Sequence, residues 1–212
     1  MTGISVLGTI RMVFFFAAYY YTSIGNAVII FYTFPIFVAL FGFWIIKEQV
    51  TQRQILLMVI AFAGIILVFS NKEFSFKSLD FIGMLASLLS AIIYALTVVL
   101  FKSETKNYSW KELIFYQNFM GLFLLLPFFQ LSKATTMDYT LGLSYATLIG
   151  LGVFGLFFFG LRRLKASVAS ALMYMEVVSA IVLSYLFMGE ILTWPMLVGA
   201  SMIIGSSVLL KN

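Results

Sequence analysis

The chain has 212 residues, 63% of them hydrophobic and only 10% charged, with a formal net charge of +5. A water-soluble domain is nearer half apolar and a quarter charged, so this composition excludes a soluble globular fold and points to a lipid environment. Cysteine and histidine are absent, which removes disulfides, thiolate metal sites and the commonest proton shuttle.

Eight apolar segments follow in chain order: about Ile4–Tyr21, Ala27–Ile46, Ile55–Phe69, Leu79–Phe101, Leu113–Leu131, Leu141–Leu161, Ser167–Met188 and Trp194–Leu210. Most approach the ~20 residues that a ~30 Å hydrocarbon core requires of a helix. The third is shorter. The first residues, MTGISVLGT, lack the basic start of a signal peptide and run straight into the first span. Connections are short, which suits antiparallel neighbours, and no soluble domain interrupts them. The predicted fold is an all-α membrane protein, a multi-pass helical bundle.

Basic residues set the orientation. Lys47, Arg53, Lys102, Lys106, Lys111, Arg162, Arg163, Lys165 and Lys211 fall on the side of the N-terminus, against Lys72, Lys77 and Lys133 on the other. Nine against three predicts a cell-membrane protein with both termini cytoplasmic. The same placement, in short loops between spans, reads as membrane orientation and not as a nucleic-acid surface.

Two stretches repeat. Asn26 to Glu48 slides onto Val168 to Glu190 at a shift of 142 places, pairing Ala27 with Ala169, Tyr32 with Tyr174, Glu48 with Glu190 and, just beyond, Thr51 with Thr193. The same shift pairs Phe15 and Phe16 with Phe157 and Phe158. One copy occupies spans one to three and the other spans six to eight. Five spans separate their starts, an odd number, so the copies cross the membrane in opposite senses. The expected organisation is an inverted-topology repeat, residues 1–69 and 79–210, with substrate held near mid-membrane between the halves. Spans four and five have no counterparts ahead of span one, so the eight spans look like ten with the first two missing.

These residues resemble the EamA-like branch of the drug/metabolite transporter superfamily. The resemblance rests on "YYYTSIGNAVIIFYTFPIFVALFGFWIIKEQVTQRQ" followed by "AGIILVF", on "FYQN" with Pro127 downstream, and on "LKASVASALMYMEVVSAIVLSYLFMGEILTWP". It implies ten helices in two inverted five-helix halves around a central cavity, moving small organic metabolites, often outward. Against that pattern two N-terminal helices are missing. The usual Glu-Pro pair of the penultimate helix is Glu176-Val177 here, so a kink is expected at Pro35 in one copy and not in the other.

Glu176 lies near the centre of its span, where a carboxylate costs roughly 2.5–3.5 kcal/mol by insertion scales and marks a functional position. Its helical face includes Leu172, Ser179 and Ala180. It is the leading candidate for a proton carrier or a cation-binding group, against a structural role bonded to Ser or Tyr hydroxyls. Arg11 either binds a substrate carboxylate, pairs with Glu176, or snorkels to the nearer interface. Pro35 breaks the second span at substrate depth, or is a tolerated kink without functional purpose. Tyr116, Gln117 and Asn118 either bond across helices or line a pathway. Gly83, Ser87, Ala91 and Ala95 form a small-residue ladder for helix contact, with Tyr94 off the ladder and a candidate to face the cavity. Glu48 and Glu190 close the repeat helices as interfacial charges or gating contacts.

The function expected is a secondary transporter of small organic solutes, exporting or exchanging them by alternating access. The alternative is a membrane subunit that works only by pairing, as a homodimer or with a partner chain. Neither a nucleotide-binding loop nor a catalytic cluster is visible, so no enzyme activity, cofactor or metal is implied.

Overall fold

A computed structural model describes residues 1–70, 78–126, 135–189 and 191–211. Glu190, Pro127, Lys72, Lys77 and Lys133, all used above, lie outside the described residues. Among the described residues the chain is helical, without strands, in eight antiparallel segments. They run Thr2–Tyr21, Ile24–Ile45, Gln52–Phe69, Ser78–Glu104, Trp110–Leu125, Thr136–Arg163, Ala166–Met188 and Trp194–Lys211, and are called the first to eighth spans below. Six are long and apolar enough to cross a bilayer; the fifth reaches the edge of the described residues and the eighth is apolar but shorter. The protein is an all-α, multi-pass membrane protein.

Several spans start where local chemistry favours a start. Thr51 accepts from the Gln54 backbone N–H while the Gln54 side chain accepts from the Thr51 backbone N–H, a reciprocal cap that opens the third span three residues before its apolar run. Ser109 and Glu112 open the fifth span in the same way. Because each cap satisfies backbone donors that lipid cannot, the spans begin at the caps and not at the first apolar residue.

Packing between spans is tightest where side chains are smallest. The third and eighth spans cross backbone to backbone: a Cβ added at Gly64 would stand 2.7 Å from the Gly199 carbonyl oxygen. The fourth span packs along the first and second. Its ladder makes that contact, since a Cβ at Gly83 would meet Thr22 at 2.7 Å, Ser87 Oγ donates to the Ala27 carbonyl at 2.6 Å, and Ala91 and Ala95 are fully buried.

The second and seventh spans are both broken. The second is interrupted between Ile24–Phe31 and Phe34–Ile45, the seventh between Ala166–Leu172 and Met175–Leu183. The expectation that Glu176-Val177 removes the kink is therefore wrong. In the seventh span the hydrogen bonds shorten to three-residue steps, Met173 N–H to Ser170, Tyr174 to Ala171, Glu176 to Met173 and Val177 to Tyr174, with no proline involved. The cause is tertiary. The Tyr174 ring is fully buried against Tyr32, centroids 5.9 Å apart, and its hydroxyl donates to the Tyr32 carbonyl at 2.8 Å. Thr33 and Ile36 N–H groups also bond three residues back, so the Tyr32 carbonyl is free to accept from Tyr174. The two breaks meet and complete each other.

Candidate transport site

Beside the breaks lies a cavity of about 550 Å³, between the first, fourth, fifth and sixth spans. Arg11, Tyr94, Gln117 and Asn118 line it, together with Thr9, Thr97, Met12, Phe101, Phe154 and Phe157. Arg11 lies nine residues beyond the helix start at Thr2, about 14 Å along the axis, hence near mid-membrane. Its guanidinium stands 4.9 Å from the Tyr94 ring centre, 5.8 Å from Phe15 and 6.0 Å from Phe31. The guanidinium is packed among three aromatic rings, a placement that does not match snorkelling, and each ring contributes about 0.5–2 kcal/mol depending on desolvation. Its backbone carbonyl accepts from Ser90 Oγ at 3.3 Å, fixing the first span to the fourth at that level.

Glu176 does not line this cavity and does not pair with Arg11 among the described residues. It sits in the first turn of the resumed helix Met175–Leu183, where the helix dipole favours a negative charge. Its carboxylate meets the Tyr32 hydroxyl, with Tyr19 and Tyr94 in electrostatic range. Tyr94 also reaches across to Met173, hydroxyl to sulfur 3.5 Å. An aromatic tier of Phe31, Tyr32 and Tyr94 thus stands between the two charges. Ser179 donates to the Met175 carbonyl at 3.0 Å and is exposed alongside Glu176. Pro35 is buried in the first turn after its break. The Asn118 amide donates to the Ile114 carbonyl at 2.9 Å while bordering the cavity.

The seventh span's start carries a second constellation. Glu48 accepts from the backbone N–H of Ala166 at 2.8 Å and Ser167 at 3.1 Å, and from Ser167 Oγ at 2.6 Å. Lys165 Nζ donates to the Gln49 carbonyl at 2.7 Å. Lys102 Nζ donates to the Leu161 and Leu164 carbonyls, both at 2.6 Å, closing the end of the sixth span. These residues tie the second, fourth, sixth and seventh spans together on the side of the N-terminus. Sequence reasoning used Lys102 and Lys165 only as topological charges. Lys102 lies in the last turn of the fourth span, but the carbonyls it bonds end the sixth, 59 and 62 residues further on, so no local signal marked the contact.

A helical membrane bundle with two broken spans meeting beside a cavity has the build of a membrane transporter. The chain belongs to the EamA-like transporter family, whose sequence profile matches residues 1–70 and 81–211. It is 27% identical over 210 residues to an uncharacterized transporter of Archaeoglobus fulgidus, covering 96% of this chain and 73% of that protein. It is 27% identical over 218 residues to human solute carrier family 35 member G1, covering 96% of this chain and 59% of the human protein. The chain thus spans about three fifths of that human relative. One crystal structure superposes with a TM-score of 0.79 over 99% of this chain and 76% of the other, at 17% identity, a likeness of fold.

Proposed function

We propose that this membrane transporter is a secondary carrier of small organic metabolites, working by alternating access between two inverted halves, residues 1–69 and 79–210, with both termini cytoplasmic. One observation carries the reading: a cavity of about 550 Å³ at mid-membrane depth, beside the two broken spans, with Glu48, Lys102 and Lys165 tying neighbouring spans together on the side of the N-terminus. That volume lies within the ~300–1,000 Å³ of small-molecule sites. Alternating access requires such ties to form in one state and release in the other. Glu176, at a helix N-terminus beside Tyr32, is the group through which a proton or a cationic solute couples to the movement. Export or exchange follows from the family resemblance. The test is flux of a metabolite panel through purified protein in liposomes, with and without a pH gradient. Saturable flux that responds to the gradient supports the proposal, and a complete lack of flux across the panel refutes it.

A second reading, a chain that works only when paired with another copy or another protein, is favoured by one specific asymmetry. Ser5, Thr9 and Phe34 are buried, yet the residues 142 places on, Thr147, Leu151 and Glu176, are exposed. The fourth span meets Phe34 through Tyr94, and the fourth and fifth spans pack along the first span that carries Ser5 and Thr9, whereas the described residues offer no equivalent cover for the second set. Light-scattering mass in lipid nanodiscs, set against flux, separates the two readings.

A further inference from the structure

The cavity beside Arg11 has a charge character that the transport reading leaves open. Among the described residues, no carboxylate pairs with the Arg11 guanidinium and no acceptor hydrogen-bonds it; its neighbours are ring faces. Ring faces attract a cation but cannot accept its N–H bonds in the planar fork that guanidinium offers. The donors are therefore unspent at mid-membrane depth. Most other donors on the wall are already used: Thr9 Oγ1 donates to the Ser5 carbonyl at 3.1 Å, Thr97 Oγ1 to the Ile93 carbonyl at 2.8 Å and the Asn118 amide to the Ile114 carbonyl at 2.9 Å, which leaves the neutral Gln117 amide beside the Arg11 cation. No acidic residue is among the described residues that line the cavity, and most of the remaining wall is apolar or aromatic.

We propose that the cavity binds a small organic monoanion, a carboxylate held by the Arg11 fork with its apolar body against Phe154 and Phe157. A bidentate carboxylate fits the two parallel N–H vectors, and this is the strong form of such a bond. A single cation on the described wall sets the charge: a dianion leaves one charge uncompensated in an apolar cavity, and a cationic amine meets Arg11 as a like charge. The proposal takes its biological setting from the transport reading, but binding is measured without transport.

The test uses the full chain in lipid nanodiscs and three probes of one shape: indole-3-acetate, the neutral indole-3-acetamide and the cationic tryptamine. Calorimetry is expected to give saturable binding of the acid, with the amide and the amine weaker by roughly tenfold or more. Arg11→Gln removes that preference, and Arg11→Lys keeps part of it, because an ammonium supplies charge without the fork. Gly121→Leu, on the cavity wall with only Thr9 nearby at 3.6 Å, fills the space and weakens the acid while Arg11 stays intact. Equal affinity for acid and amide in the unmodified chain overturns the proposal, as does an absence of saturable acid binding or an undiminished preference in Arg11→Gln. Selective acid binding without flux in liposomes refutes the transport reading alone. Flux of neutral or cationic solutes without acid selectivity refutes this proposal alone.

Discussion

If the ties around Glu48 are a gate, removing its carboxylate must change access to the cavity as well as stability. Glu48 accepts three hydrogen bonds at the start of the seventh span, from Ala166 N–H, Ser167 N–H and Ser167 Oγ. Loss of a helix N-cap costs about 0.5–2 kcal/mol, and a bond to a charged acceptor is worth about 1.5–3 kcal/mol, without additivity. Taking about 2 kcal/mol as the share that exists only in the closed state, Glu48→Ala shifts the closed-to-open ratio by roughly 30-fold. The chain contains no cysteine, so Thr97→Cys on the cavity wall is a single reporter on an otherwise silent background. The labelling rate with a membrane-impermeant maleimide applied from the side of the N-terminus is expected to rise by about tenfold or more in Glu48→Ala. A lowered melting temperature with an unchanged labelling rate would show that Glu48 is a cap and nothing else, and would refute the gating argument.

Three further outcomes follow from named contacts. Glu176→Gln is expected to abolish gradient-driven flux while folded yield stays intact, measured by liposome uptake and size-exclusion recovery; unchanged flux removes Glu176 from the mechanism. Tyr174→Phe strips the donor from the Tyr32 carbonyl at the break. It should cost about 1 kcal/mol, more than the ~0.6 kcal/mol average for bonds between membrane helices, because that carbonyl is left without its partner; thermal unfolding in nanodiscs reads the difference. Gly64→Leu places a side chain where a Cβ already stands 2.7 Å from the Gly199 carbonyl and 3.1 Å from Ile203. Forcing the third and eighth spans apart is expected to cost more than the ~1–3 kcal/mol of ordinary overpacking, and a variant of native melting temperature would refute the close crossing.

Where the sequence was informative, the signal was local and periodic. Apolar runs located the spans, and the four-residue recurrence from Gly83 to Ala95 predicted a packing face, which the structure places against the first two spans. Side-chain direction was harder. Arg11 was read from a span starting at Ile4, while the helix begins at Thr2 and carries the residue deeper. The ring that holds it most closely, Tyr94, is far away in sequence, so nothing near Arg11 revealed the choice between lipid edge and interior. The seventh-span break failed for the same reason. Proline is a local signal for a break, whereas the Tyr174 hydroxyl acts through a carbonyl 142 residues earlier. Glu48 was legible as the end of a repeat helix but not as the cap of a span 118 residues later.

The 142-residue correspondence also shows what differs between otherwise matching spans. Tyr32 and Tyr174 sit at equivalent breaks, but their hydroxyls have different partners: Tyr174 bonds the Tyr32 carbonyl, while Tyr32 meets Glu176. Two residues further on, Phe34 is fully buried with its ring centre 4.9 Å from Tyr94, and its counterpart Glu176 is exposed. One break is therefore sealed by aromatic packing and the other presents a carboxylate. Arg11 also stands against Tyr94, so a single aromatic side chain borders both charges. That ring touches the seventh span through Met173. If the proposed solute sits on Arg11, this chain of contacts is the physical route by which occupancy of the cavity would reach the broken helix carrying Glu176.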